Sequence, residues 1–185
     1  MIALGGVAPA QASLLFTLQQ VGSDVVANAS GSANLAGLTL TGRGNLTALL
    51  WGNSGVFAVG STTDTEANTW GDITGPTNFG VGNNQQFASS GIGTPIGVFG
   101  SDRSIFLPIG YVSGTALSTT STWTGMTFSS LGVTPGTYDW TWGTGGNADS
   151  ARLVIGDAPE PATLALLAAG LTGLARARRR RHGTA

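Results

Sequence analysis

Leu14, Phe16 and Leu18 alternate with Ser13, Leu15 and Thr17, a period of two that predicts a strand with one apolar face. A second run repeats the pattern with smaller side chains. Val25, Ala27, Ala29, Gly31, Ala33 and Leu35 fall on one face, and Asp24, Asn28, Ser30, Ser32 and Asn34 on the other. Further strands are predicted at 37–41, 46–51, 56–60, 96–99, 105–107, 111–115, 117–128, 137–142 and 151–155. Gly and Pro punctuate the intervals, notably at Gly75-Pro76, Gly93-Thr94-Pro95 and Pro135-Gly136. Pro135 and Gly136 suit the two central positions of a type II turn, where proline presets φ and glycine accepts a positive φ. Residues 143–150 read as a Gly-rich hairpin loop between the last two strands. No segment before Pro159 sustains a helical period. The expectation is an all-β body, an antiparallel β-sandwich or jelly-roll, over residues 13–156.

After Pro161 the pattern changes. Residues 162–175 carry no charge and are rich in Leu and Ala, with Thr163 available as an N-terminal cap. Their Leu residues are not confined to one helical face, which argues against a core helix and for a single apolar helix that enters a membrane. The 14 positions would rise about 21 Å as a helix, against a hydrocarbon core of roughly 30 Å. Snorkelling arginines and the flanking prolines extend that reach to a thin span.

Charge is scarce, 9% of 185 residues, and it is unevenly placed. Residues 1–158 hold Arg43, Arg103 and Arg152 against eight carboxylates. Residues 159–185 hold Arg176, Arg178, Arg179, Arg180 and Arg181 against Glu160 alone. The net charge of −1 therefore averages an acidic body and a basic end. The positive-inside rule keeps the arginines cytoplasmic and sends the body outward. There is no cysteine, no lysine and one histidine, His182, on the basic end. This excludes a disulfide framework, a thiolate nucleophile, a Ser-His-Asp triad and any multi-His metal site within one chain. No cofactor is expected. Thr, Ser and Asn must supply the wetted faces, and an acidic body without a basic stripe makes nucleic acid an unsuitable partner.

The succession Pro159-Glu160-Pro161, short apolar helix and arginine run resembles the PEP-CTERM sorting signal of bacterial exported proteins. The resemblance covers residues 159–181 and implies that a membrane-embedded exosortase recognises the Pro-Glu-Pro element and removes the tail during sorting to the cell surface or beyond. By position, Pro159, Glu160 and Pro161 are the recognition element, residues 162–175 the membrane segment, and Arg176, Arg178, Arg179, Arg180 and Arg181 the cytoplasmic stop. These residues are a substrate for another protein's chemistry. The stretches from Gly110 to Leu117, Trp123 to Phe128 and Leu131 to Tyr138, with the closing Trp140-Thr-Trp, look similar to bodies on other proteins of this kind.

Sorting of this type requires prior export. Ala8, Ala10 and Ala12 have the spacing of a signal-peptide cleavage site, with cleavage expected after Ala12, and residues 1–12 then read as the remnant of a signal peptide. Only residues 2–7 are apolar upstream and no basic residue follows Met1, so the expectation is that the true start lies further upstream.

Within the body, Tyr138, Trp140 and Trp142 alternate on one strand face. They offer either an aromatic platform for stacking on sugar rings or the inward face of a penultimate strand. Asp64, Glu66 and Asp72 are the clustered carboxylates, readable as a glycosidase pair, a calcium site or a solvated loop; the loop is the expectation. No metal site is expected. Three functions follow. The first is a non-enzymatic, exosortase-sorted surface or matrix protein. The second is a module binding extracellular polysaccharide through the Tyr138, Trp140 and Trp142 face, with a Thr-rich ice-binding surface as its variant. The third is a hydrolase of matrix polymers.

Overall fold

In the computed structural model, which describes residues 13–156, the two alternating runs are neighbouring strands. β1 (Ser13–Val21) buries Leu14, Phe16 and Leu18, and β2 (Asp24–Gly31) buries Val25, Ala27 and Ala29. They pair antiparallel around Gly22 and Ser23. On the side of β2 the sheet continues with β11 (Leu117–Trp123) and β8 (Ser90–Ile92). On the side of β1 it continues with β13 (Asp149–Ile155) and β12 (Gly136–Trp142), in the order β12-β13-β1-β2-β11-β8. One pair departs from the antiparallel expectation. β1 runs parallel to β13, with Ser13 opposite Ser150 and Leu18 opposite Ile155. The first and last described strands are thus neighbours, each flanked on both sides.

A second sheet holds β3 (Thr39–Leu46), β4 (Leu49–Trp51), β5 (Val56–Val59), β6 (Thr65–Gly71), β7 (Gln86–Phe87), β9 (Ile96–Phe99) and β10 (Ser104–Pro108). Their order is β3-β6-β10-β9-β5-β4-β7. The sheets share one apolar core: Leu50, Phe57, Val59, Ile96, Val98, Ile105 and Leu107 from the second pack with Leu14, Phe16, Leu18, Ala27, Trp123 and Leu153 from the first. The rings of Phe16 and Phe57 meet edge to face across the sheets at 5.7 Å, a favourable aromatic geometry. A buried polar clamp crosses the same interface. The Ser121 hydroxyl on β11 accepts from the Gly60 N–H at 2.8 Å and donates to the Gly60 carbonyl at 2.9 Å.

Several expected elements are corrected. Residues 111–115 form no strand; Tyr111 instead turns its hydroxyl inward, accepting from the Ala33 N–H at 2.8 Å and donating to the Thr115 carbonyl at 2.7 Å. The predicted strand 117–128 ends at Trp123, and Thr127 then caps a single helical turn, α1 (Phe128–Leu131). That turn closes on Gly132 at φ 66°, so the left-handed glycine of this corner is Gly132. Gly136 is the first residue of β12, without the positive φ a type II turn requires. The hairpin loop between β12 and β13 forms as expected. The outer edge of β12 is covered where Thr74 exchanges two 2.8 Å backbone bonds with Thr141, which closes an otherwise open sheet edge.

The signal-peptide remnant expected at 1–12 and the apolar helix expected at 162–175 lie outside the described residues, as do Pro159, Glu160, Pro161 and the arginines from Arg176 to Arg181. Among the described residues no helix is long and apolar enough to cross a membrane.

Candidate functional site

The second sheet is bent by its own connectivity. Leu46 ends β3 and Leu49 begins β4, yet four strands separate these two in the sheet. Three Cα–Cα steps reach about 11 Å, whereas five strand spacings in a flat sheet are about 24 Å. The sheet must therefore roll until its two sides approach. Side-chain size fits the bend. The face turned away from the first sheet carries Gly42, Gly44, Ala58, Ala67 and Gly97, while the opposite face carries Phe57, Val98, Ile105 and Trp70. At Gly97 the strands approach so closely that a Cβ would lie 2.9 Å from the Ala58 Cβ. A register shift between Leu40 and Gly42 adds curvature at the edge. Inside the roll Leu46, Ala58, Ala67 and Phe106 form a second buried cluster with Phe99 against it. The Phe99 and Phe106 rings are 4.3 Å apart.

The concave side opens as a cleft of about 570 Å³. Strand register places Trp51, Val56, Phe99 and Ser104 in one cross-strand row over β4, β5, β9 and β10. Trp51, Val56 and Phe99 line the cleft together with Leu49, and Asn45, Ser54, Gln85, Ser101 and Asp102 add polar groups. Two polar atoms of the row, Trp51 Nε1 and Ser104 Oγ, are buried without a hydrogen-bond partner. Among the described residues no cationic side chain lines the cleft. The arrangement presents aromatic and aliphatic surface beside neutral amides, hydroxyls and one carboxylate, the usual composition of a small-molecule or sugar site.

The residues singled out in the sequence lie elsewhere. Trp140 and Trp142 are 1% and 3% exposed, so they offer no ring face to a sugar. Their polar ends are consumed inside the body: Trp140 Nε1 donates to the Pro76 carbonyl at 2.9 Å and Trp142 Nε1 to the Asn34 carbonyl at 2.8 Å. Tyr138 is half-buried against Phe79 at 5.9 Å and its hydroxyl donates to Thr134. Burial raises the Tyr138 phenol above its ordinary pKa. The aromatic platform is therefore corrected to an inward strand face. The carboxylates have separate settings. Glu66 belongs to β6, where a loop was expected; Asp64 accepts from the Asn45 amide at 2.9 Å; Asp72 sits beyond the strand at φ 72°. Among the described residues no three His, Cys, Asp or Glu side chains gather to hold a metal ion.

One buried carboxylate was missed. Asp149 is 6% exposed and accepts backbone N–H bonds from Asn34 at 2.6 Å and Ser150 at 2.7 Å. Desolvation raises its pKa, and the two N–H donors oppose that rise. Asp149 ties the 32–38 loop to the β12–β13 hairpin and stands beside the Tyr111 network. Trp51 and Phe99 were also missed, although the unbroken apolar runs Leu49-Leu50-Trp51 and Ile96-Gly97-Val98-Phe99 are a signal that both faces of a strand are covered.

Beyond the body, residues 157–181 match the family model of the PEP-CTERM protein-sorting motif. No curated protein and no solved structure matches the chain. The match begins at Asp157, one residue after the last described position, Gly156.

Proposed function

We propose that this chain, which carries a PEP-CTERM sorting motif at 157–181, is an exported protein delivered by exosortase to serve without catalysis at the cell surface or in the extracellular matrix. The motif is the observation that carries the reading. In this account Pro159, Glu160 and Pro161 are recognised, residues 162–175 hold the chain in the inner membrane, and Arg176 with Arg178–Arg181 stop it at the cytoplasmic face. The tail is then removed. The body is arranged to survive that removal, since β13 ends at Ile155 and is held between β12 and β1 before the motif begins. A non-enzymatic role is supported by the absence of cysteine and by a lone histidine within the discarded tail.

The test is fractionation of cells with and without exosortase, reading the location of the body and its mass. The expected result is a shorter, surface or released body in normal cells and a full-length membrane-associated chain without the enzyme. Glu160→Ala in normal cells should reproduce the second pattern. Unchanged size and location in both strains would remove the proposal.

A further inference from the structure

We infer that the concave cleft of the rolled sheet is a binding site for a neutral polysaccharide segment, with Trp51 and Phe99 as its aromatic contacts. The choice of an extracellular sugar as ligand rests on the export reading; the site itself rests on geometry alone. Its volume of about 570 Å³ falls within the roughly 300–1,000 Å³ typical of ligand pockets. Register fixes Trp51, Val56 and Phe99 side by side on adjacent strands, so the apolar floor is part of the sheet and is set before any ligand arrives. A pre-formed floor lowers the entropy cost of binding. Pyranose rings have an apolar C–H face and a hydroxyl rim. The aromatic and aliphatic floor suits the first, and Asn45, Ser54, Gln85 and Ser101 supply donors and acceptors for the second.

Charge narrows the ligand. With Asp102 as the ionisable group in the lining, and Arg103 facing the neighbouring hollow and not the cleft, the cleft disfavours uronic acids, sulfates and phosphates. Asp102 can instead accept hydrogen bonds from sugar hydroxyls. It also lines a neighbouring hollow of about 430 Å³ with Thr41, Asp72, Thr74 and Arg103. A polymer longer than the cleft can therefore run across the Ser101–Asp102 turn into that hollow.

The experiment uses the purified full chain in detergent, titrated with neutral gluco-, galacto- and manno-oligosaccharides and with alginate as the anionic comparator. Binding is read by calorimetry, and folding of every variant by circular dichroism. At least one neutral oligosaccharide should bind, and alginate should bind more weakly. Trp51→Ala and Phe99→Ala should each weaken binding at least about tenfold, the effect of one buried anchor. Because those two substitutions also remove packing, Ser101→Trp at the exposed rim provides a blocking variant expected to abolish binding with the fold intact. Tyr138→Phe should leave binding unchanged. No binding to any neutral sugar, alginate binding equal to or above the neutral sugars, or full binding by Ser101→Trp would each overturn the proposal. Delivery by exosortase is scored separately by mass and fractionation, so failure here leaves the sorting reading standing.

Discussion

Replacing Ser121 by alanine removes one oxygen atom and tests how the two sheets are held together. The hydroxyl is 1% exposed and occupies both polar groups of the Gly60 main chain, at 2.8 and 2.9 Å. The partner lies 61 residues away, just past the end of β5 in the other sheet, so no local adjustment of β11 can restore the contact. Alanine leaves a buried N–H and a buried carbonyl, each worth about 1–3 kcal/mol when orphaned, for a ceiling of roughly 6 kcal/mol. The variant no longer has to bury the hydroxyl itself, which lowers the expected loss to about 2–3 kcal/mol. That is a large share of the roughly 5–15 kcal/mol that holds a domain folded. Equilibrium urea denaturation followed by tryptophan fluorescence is the assay, with the slope expected to stay constant while the midpoint falls. Ser118→Ala, three residues earlier on β11 and exposed, is the control and should stay within about 0.5 kcal/mol of the parent. A loss below about 1 kcal/mol for Ser121→Ala at constant slope would refute the reasoning, because both orphaned groups would then have found water or new partners.

Three further outcomes are expected. Gly91→Ala places a Cβ 1.8 Å from the Gly60 carbonyl oxygen, a backbone atom that cannot swing aside, and should cost about 3 kcal/mol or more in the same denaturation assay. Ser104→Ala deletes a buried hydroxyl that has no partner, so it should be neutral or stabilise by up to about 1 kcal/mol; a clear destabilisation would show an unseen partner for that oxygen. Asp149 has a folded pKa above its ordinary 3.8, so the folded state holds this proton more tightly than the unfolded chain does. Its contribution to stability is present below 3.8 and is lost as pH rises through the raised value. The stability of the parent relative to Asp149→Asn should therefore fall with rising pH over that window, and a difference that is flat or grows with pH would contradict the assignment.

The elements legible in the sequence were those whose period reports one-sided burial. β1 and β2 alternate cleanly because one face of the first sheet is wet, and the strands are visible from the pattern alone. β5, β9 and β10 were found as strands, but Val56-Phe57-Ala58-Val59 and Ile105-Phe106-Leu107 have no polar face. An unbroken run implies a cover on each side, and in this chain the second cover is the sheet's own roll. β6 escaped notice because Thr65, Ala67, Thr69 and Gly71 present small or polar side chains to the concave side, where little room remains. Trp140 and Trp142 carry the same alternation whether they face a sugar or a core. What decides between the two is the cover over β12, the Gly-, Pro- and Thr-rich stretch from Thr74 to Gly80 at Trp140 and the loop from Asn34 to Gly37 at Trp142, neither with a period of its own.

The same contrast separates the two functional features. The sorting motif is legible because it is one linear segment: a tripeptide, an apolar stretch and a basic run follow one another in order along the chain. The cleft draws on Asn45, Leu49, Trp51, Ser54, Val56, Gln85, Phe99, Ser101 and Asp102, which no spacing rule connects. They converge only because a two-residue link between Leu46 and Leu49 forces distant strands of one sheet to meet. Lengthening that link would relax the roll without touching a single lining residue. A four-residue Gly-Ser insertion between Thr47 and Ala48 should therefore weaken sugar binding while the shared core of the two sheets stays folded. If binding persists at full strength, the roll is held by its small residues, Ala58 and Gly97, rather than by the link.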